Sequence, residues 1–385
     1  MGVDAVFEWL VDGAPGAETA VDVVGRMGED LIAAGVPIDR MAAFVTTLHP
    51  TVLGRAFWWN KGEPVRVGEL THEVQRSESF RRSPVADVFC TRVEVRRRIE
   101  GIGDADYEVY RDLSKQGFTD YVCMPMVFLR GQVHAIAFAT KRPGGFSDAD
   151  LGALRRVVRP LSRVAEILAL HRTAANLLST YVGRNSGERV LAGRIFRGDI
   201  ETLRAVLWFS DLRGFTELSA RSTPREVIDT LNELFECQVA AIERHGGEVL
   251  KFIGDGLLAI FPLGSDAELP ARAEAALAAA DDALAALAAR NAARPEPMRV
   301  GLALHVGEVA YGNIGGSQRL DFTAIGAAVN LASRLEGLTS KLGRPFVVSE
   351  EVARAVARPL EEVGTFELKG VPQPQRVFAP RPPSD

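Results

Sequence analysis

From residue 205 onward, short apolar runs alternate with longer segments whose apolar positions recur every three to four residues. Such alternation commits a chain to strands and helices packed in layers, the α/β class. The runs 205–209, 249–253, 257–261, 299–305, 320–325 and 345–348 read as strands. Thr223-Pro224-Arg225-Glu226 combines an N-cap, a proline at the first helical position and a glutamate at the third, a strong helix start. Val227, Ile228, Leu231, Leu234, Phe235, Val239 and Ile242 then make one buried stripe, which His245-Gly246-Gly247 ends. The alanine-rich segment 266–294 is helical by propensity, and 327–338 reads as another helix. A last strand is expected at 365–371, turning back into 375–379.

Two of these strands end in aspartate. Asp211 closes the first run in Phe209-Ser210-Asp211-Leu212-Arg213-Gly214-Phe215-Thr216, and Asp255 follows the second in Lys251-Phe252-Ile253-Gly254-Asp255-Gly256. The glycines beside them let the backbone turn sharply next to a ligand, and Gly254-Asp255-Gly256 predicts a tight hairpin with Asp255 at its tip. Paired carboxylates are the hard oxygen donors that magnesium or manganese prefers when it carries a nucleotide's phosphates. Phosphoryl transfer is the chemistry this pattern suggests. Taken singly, Asp211 would only cap the helix near Phe215 and Asp255 would only occupy a hairpin.

The 385 residues suffice for two or three domains at roughly 150 residues each. A formal charge of -5 argues against a general nucleic-acid binder. Cys90, Cys123 and Cys237 form no CxxC pair, so neither a disulfide framework nor a zinc knuckle is expected, and a reducing cytoplasm fits. No basic leader and no run of about 18 apolar residues occurs, which predicts neither a signal peptide nor a membrane span.

The first half alternates short strands and polar turns. The runs 121–129 and 132–140 flank Arg130-Gly131, a plausible hairpin turn. Pro143-Gly144-Gly145-Phe146-Ser147-Asp148-Ala149-Asp150 leads into a long helix with Leu151, Leu154, Val157, Val158, Leu161, Val164, Ile167 and Leu168 at helical spacing. This order, covering about 38–170, resembles the second half of a GAF-type sensory domain. Continuing through 170–178, the helix has apolar positions that suit either a parallel pair with a second subunit or packing on its own domain. The division expected is a GAF-like regulatory or dimerisation domain over 1–170, a helical linker over 171–199 and a catalytic domain over 200–385.

The two aspartate segments, together with Gly326-Ala327-Ala328-Val329-Asn330-Leu331-Ala332-Ser333-Arg334 and Leu368-Lys369-Gly370, closely resemble the catalytic core of class III nucleotidyl cyclases. The resemblance spans about 205–377. It implies a ferredoxin-like α/β domain that acts as a homodimer and converts a nucleoside triphosphate to a 3',5'-cyclic monophosphate and pyrophosphate. Asp211 and Asp255, with the Leu212 carbonyl, would hold two divalent ions, Mg2+ or Mn2+. Asn330 would orient the ribose and Arg334 would stabilise charge at the α-phosphate. Lys369 resembles the family's phosphate-binding lysine, with Arg319 a further phosphate contact. Backbone N–H groups of Gly214 and Phe215 could cradle the triphosphate.

Base selection falls to Lys251 and Thr323. Lysine only donates, which suits the N1 acceptor of adenine, whereas guanine presents an N–H there. ATP is favoured over GTP. Thr323 occupies the place where many adenylate cyclases have aspartate, similar to the class IIIb subgroup often linked to bicarbonate responsiveness. Asn330 and Arg334, four apart, share a helix face. Lys251 and Asp255 lie about 13 Å apart along an extended strand, so a site shared between two chains is expected. Ala327 stands where the family often has aspartate. His245 and His305 are expected to be structural, Arg96-Arg97-Arg98 a solvated face, and Gly246-Gly247-Glu248 an incomplete likeness to the GGDEF signature. A non-catalytic nucleotide sensor is the competing reading.

Overall fold

A computed structural model describes residues 2–47, 52–103, 106–316 and 319–381. The chain divides into two units, Met1–Leu177 and Leu178–Asp385.

In the first unit, β1 (Arg40–Thr46), β2 (Val52–Asn60), β3 (Arg66–Thr71), β4 (Val95–Arg98), β5 (Asp120–Val127) and β6 (Val133–Thr140) form one antiparallel sheet in the order β3-β2-β1-β6-β5-β4. Successive strand residues face opposite sides. Met41, Ala43, Val122 and Met124 therefore pack against helices Val3–Val11, Ala20–Ala33 and Asp148–Val182, while Tyr121, Cys123 and Ala137 pack against Pro84–Thr91 and Glu108–Lys115. The two N-terminal helices were not expected from sequence. Their stripes are short, and Thr19 with Asp22 supplies a capping box that only the structure confirms.

The long helix begins as expected. Asp150 N–H donates to Ser147 Oγ at 3.2 Å and Ser147 N–H to Asp150 Oδ2 at 2.7 Å. It continues to Val182. Residues 171–199 comprise its C-terminal part, a helix Arg184–Leu191 and an irregular stretch before the second sheet. Ile167, Leu170, Ala174, Leu177 and Tyr181 recur at alternating three- and four-residue steps, and Ile167, Leu170 and Tyr181 are 65%, 68% and 79% exposed.

The expectation of a solvated arginine face at 96–98 holds for Arg97 and Arg98, which stay part-exposed, but not for Arg96. Arg96 reaches the fully buried Asp120 at 2.7 Å, and Arg98 lies 3.5 Å from the same carboxylate. A buried carboxylate must be paired, and its partner is set by β4–β5 register, which a local charge count does not reveal.

The second unit carries β7 (Ile200–Leu212), β8 (Glu248–Ile253), β9 (Gly256–Leu263), β10 (Val300–Gly315), β11 (Leu320–Ile325), β12 (Phe346–Ser349), β13 (Leu360–Phe366) and β14 (Gln375–Pro380). Their order is β13-β14-β12-β10-β7-β9-β8, with β11 on β10. Only β10–β12 is parallel. Helices Pro224–Arg244 and Leu269–Asn291 cover one face through Ala241, Ile242, Ala273 and Leu277 against Val206, Trp208, Leu304 and Phe261. Helix Ala327–Leu342 covers the other through Ala328, Ala332 and Leu335. This is the expected α/β class. β10 runs on to Gly315 where the sequence suggested an end at His305, because β7 and then β11 supply hydrogen-bond partners across the polar Gly307-Glu308 step. Helix Glu350–Ala355 was also not foreseen.

Glu248 departs from any cyclase-like signature use. It is buried and accepts from Asn185 Nδ2 at 2.9 Å and Tyr311 OH at 3.1 Å, which anchors the Arg184–Leu191 helix on β8 and β10. Among the described residues, no helix is long and apolar enough to cross a membrane.

Candidate active site

The register of the second sheet brings the two aspartates together. Asp211, the penultimate residue of β7, lies opposite Gly256 on β9 and Gly301 on β10. Asp255 precedes Gly256 in a two-residue turn whose first residue, Gly254, has φ of +63°. That conformation favours glycine at the first turn position. A Cβ at Gly256 would come within 3.0 Å of the Ser210 carbonyl and 3.3 Å of Asp211 Oδ1. The Ser210 carbonyl first, and then the carboxylate, leave little room for a side chain there. Ser210 is itself held from behind, donating to Gln238 Oε1 at 2.6 Å.

A second carboxylate so close raises the proton affinity of Asp211. Burial, and then the hydrogen-bonding Asp255 carboxylate, push Asp211 from its ordinary 3.8 up to about 7; Glu336 adds to the rise and Arg213 opposes it. Among the described residues, no group of three or more His, Cys, Asp or Glu side chains could hold a metal ion. Asp211 and Asp255 would supply two carboxylates, a donor number with which a magnesium-type ion can complete its shell from backbone carbonyl, water and phosphate. The donor set fits.

Arg213 and Glu336 were missed by the sequence reading. Arg213 Nη2 donates to Glu336 Oε1 at 2.5 Å, to the Glu336 carbonyl at 3.0 Å and to Thr339 Oγ1. Glu336 is buried, and burial pushes its carboxyl up against the opposing effect of Arg213. A Cβ at Gly301 would collide with both side chains, so this glycine opens the space they fill. The pair ties the helix bearing Asn330 and Arg334 to the strand end bearing Asp211. Partners this distant in the chain leave no local signal. Arg213→Ala strands a buried carboxylate, at a cost of about 2–4 kcal/mol in denaturant unfolding, toward the lower end because Glu336 can take up a proton.

Asn330 is exposed on the first turn of its helix, and Arg334 follows on the same face. Leu368 is buried against Leu335 and Leu338, which places Lys369 and Gly370 beside that helix. A Cβ at Gly370 would lie 4.0 Å from Arg334 Nη2. Arg334 and the Lys369 loop are thus brought together. Arg319 is not. It precedes β11, whereas Asn330 lies beyond the other end, about 17 Å along the strand. Gly214, with φ of +74°, caps the short Phe215–Arg221 helix, and Leu212 is buried at the end of β7.

β8 and β11 lie beside each other, which brings Lys251 to the strand that bears Thr323, with a difference from the expectation. Lys251 is not a free donor; its Nζ pairs with Asp321 Oδ2. Asp321 was also overlooked, although its two-residue spacing from Thr323 puts both on one strand face. Thr323 is only 6% exposed. Ala327 is exposed at the helix start.

Residues 201–379 match the family described as the adenylate and guanylate cyclase catalytic domain. The second unit is a class III cyclase catalytic domain. An adenylate cyclase of Anabaena cylindrica is 35% identical to the chain over 170 residues, 42% of this chain and 32% of that protein. An uncharacterized protein of Mycobacterium tuberculosis is 31% identical over 244 residues, 62% of this chain and 42% of that one. The chain thus spans about a third to two fifths of the length of these curated relatives. Among solved structures, a bacterial light-regulated adenylyl cyclase is 28% identical, covering 46% of this chain and 90% of its own, with a TM-score of 0.42. The guanylyl cyclase Cya2 is 29% identical, covering 46% and 92%, with a TM-score of 0.41. The resemblance carried by the four motifs is borne out for the cyclase domain, and the family's description spans both purine substrates.

Proposed function

We propose that the protein is an adenylate cyclase, converting ATP to 3',5'-cyclic AMP and pyrophosphate at sites formed between two copies of the chain. The observation that carries this reading is the juxtaposition of Asp211 and Asp255 at paired strand ends within a cyclase domain. These carboxylates, with the Leu212 carbonyl, would hold two Mg2+ or Mn2+ ions. Bound there, such ions supply charge stabilisation for the attacking 3'-oxygen and the departing pyrophosphate. Arg334 presents a planar donor fork to the α-phosphate, and Asn330 orients the ribose from the same helix face. Lys369 and the N–H groups of Gly214 and Phe215 receive the remaining phosphate charge. Lys251 donates to adenine N1, and the Thr323 hydroxyl accepts from the amino group.

A homodimer resolves the spacing between Lys251 and Asp255, since one chain's aspartates can meet the other's Lys251, Asn330 and Arg334. Phe252, Ile253 and Ile325 are exposed apolar residues near these groups, the kind of surface a second subunit covers. The stripe at Ile167, Leu170 and Tyr181 has coiled-coil spacing. The double variant Ile167→Glu, Leu170→Glu should shift the protein to monomer in analytical ultracentrifugation and lower specific activity by about tenfold, as expected when site assembly depends on association.

We further infer that the first unit is a GAF-like regulatory module, the protein acting in the cytoplasm. A cavity of about 420 Å³ bounded by Phe44, Trp58, Phe80, Leu113 and Tyr121 could admit a small, largely apolar regulator. Bicarbonate acting at the catalytic domain is a second route, suggested by Thr323. Guanylate cyclase activity is the alternative that Lys251's engagement with Asp321 favours. Purified protein incubated with ATP or GTP and Mn2+, with products separated chromatographically, tests the reading. Cyclic AMP is the expected product. Cyclic GMP alone would replace the substrate assignment, and no cyclic nucleotide from either would support a nucleotide-sensing pseudoenzyme.

A further inference from the structure

Arg55 lies on the helix-covered face of the first sheet, between Val45 on β1 and Glu69 on β3 and one row from the Phe57–Val67 pair. These strand residues form one side of a cavity of about 630 Å³. Val21 of helix Ala20–Ala33 and Leu168, Ala169 and Arg172 of helix Asp148–Val182 close it. The cavity of about 420 Å³ bounded by Phe44 and Tyr121 lies across the sheet, on its other face.

Two guanidinium groups line this space. Arg55 stands 3.8 Å from Glu69, too far for a hydrogen bond, and no described residue pairs with Arg172. Partial burial, and then repulsion from Arg55, hold Arg172 below the usual arginine range, with Glu69 opposing. An anion between the two cations relieves that repulsion. Glu18 is the other acid of the lining. Two carboxylates near two guanidiniums leave room for a single negative charge and repel a polyanion. The remaining wall is largely apolar, and the volume lies in the range of small-molecule sites.

We propose that this cavity binds a small amphipathic monocarboxylate, its carboxylate between Arg55 and Arg172 and its apolar body against Phe57, Val67 and Leu168. A guanidinium's planar donor fork matches a carboxylate. The assignment is independent of nucleotide chemistry in the second unit. The helix that closes the cavity continues to Val182, past the start of that unit at Leu178, so residues 165–176 are the stretch that a bound ligand orders.

Isothermal titration of the full-length protein with octanoate, 1-octanol, acetate and inorganic phosphate tests the site. Octanoate should bind about tenfold or more tighter than any of the others, because it alone joins one negative charge to an apolar body. Arg55→Gln and Arg172→Gln should each weaken octanoate about tenfold, the worth of a hydrogen bond to a charged group. Arg159→Gln, on the same helix but outside this lining, should leave it unchanged. Ala169→Phe fills the cavity while keeping both arginines and should abolish binding; circular dichroism checks that each variant is folded. Hydrogen exchange locates the ligand: octanoate should slow exchange over 165–176. Slowing over 109–113 instead would put it in the cavity across the sheet and overturn the assignment. Equal affinity for 1-octanol, tighter binding of phosphate, unchanged binding by folded Arg172→Gln or Ala169→Phe protein, or no binding of octanoate up to about 1 mM would overturn it as well.

Discussion

Asp211→Asn and Asp255→Asn are each expected to lower cyclic nucleotide formation by about 10³-fold or more, a loss of some 4 kcal/mol of transition-state stabilisation. Each substitution keeps the side chain's shape and removes one of the paired carboxylates at this strand end. The fold should survive. Repulsion at the pair is a cost to the metal-free protein, so Asp255→Asn should raise its melting temperature near pH 8 by about 2–4 °C, the shift that roughly 1 kcal/mol produces in a protein of this size. Turnover by product chromatography and melting in EDTA check the two halves separately. An Asp255→Asn protein that remains active would remove the metal-pair assignment.

The same pair makes stability pH-dependent. Asp211 is raised from 3.8 to about 7 in the folded chain. A carboxyl with a raised folded-state pKa contributes stability that is fully present below its unfolded value, near pH 4, and is lost as pH rises through about 7. The melting temperature in EDTA should therefore fall across that window. Mn2+ competes with the proton, so the stabilisation it gives should grow from pH 5 to pH 8. In Asp255→Asn both trends should weaken without vanishing, because burial is the larger cause of the shift.

Mixing Asp211→Ala chains with Arg334→Ala chains should restore roughly a quarter of wild-type activity from two inactive preparations. In the proposed two-fold dimer each site would take its aspartates from one chain and its Asn330 and Arg334 from the other. Random reassortment makes half of the dimers mixed, and each mixed dimer has one intact site and one doubly defective site. The buried Arg213–Glu336 contact makes this a demanding test, since it fastens the Arg334 helix to its own chain's Asp211 strand end. Activity should rise with time after mixing as subunits exchange. Two folded variants that exchange subunits and recover nothing would exclude a shared site.

The strand–helix order of the second unit and the position of Asp211 and Asp255 were legible because both depend on short-range pattern. Apolar runs, a Thr223-to-Glu226 capping box and a glycine-flanked turn act over a few residues, and the structure reproduces each. β10 was underestimated for the opposite reason. Its continuation to Gly315 is stabilised by hydrogen bonds to β7 and β11, partners that local composition does not display.

The amino-acid order was enough to specify the family motifs, the carboxylates and the helix face shared by Asn330 and Arg334, since periodicity and turn chemistry are properties of neighbouring residues. Tertiary contact alone settled which charges stand together. Arg213 meets Glu336, Arg96 meets Asp120 and Lys251 meets Asp321 across separations of 123, 24 and 70 residues. Electrostatic pairing depends on distance in space, and that distance is fixed by sheet register and helix packing rather than by position along the chain.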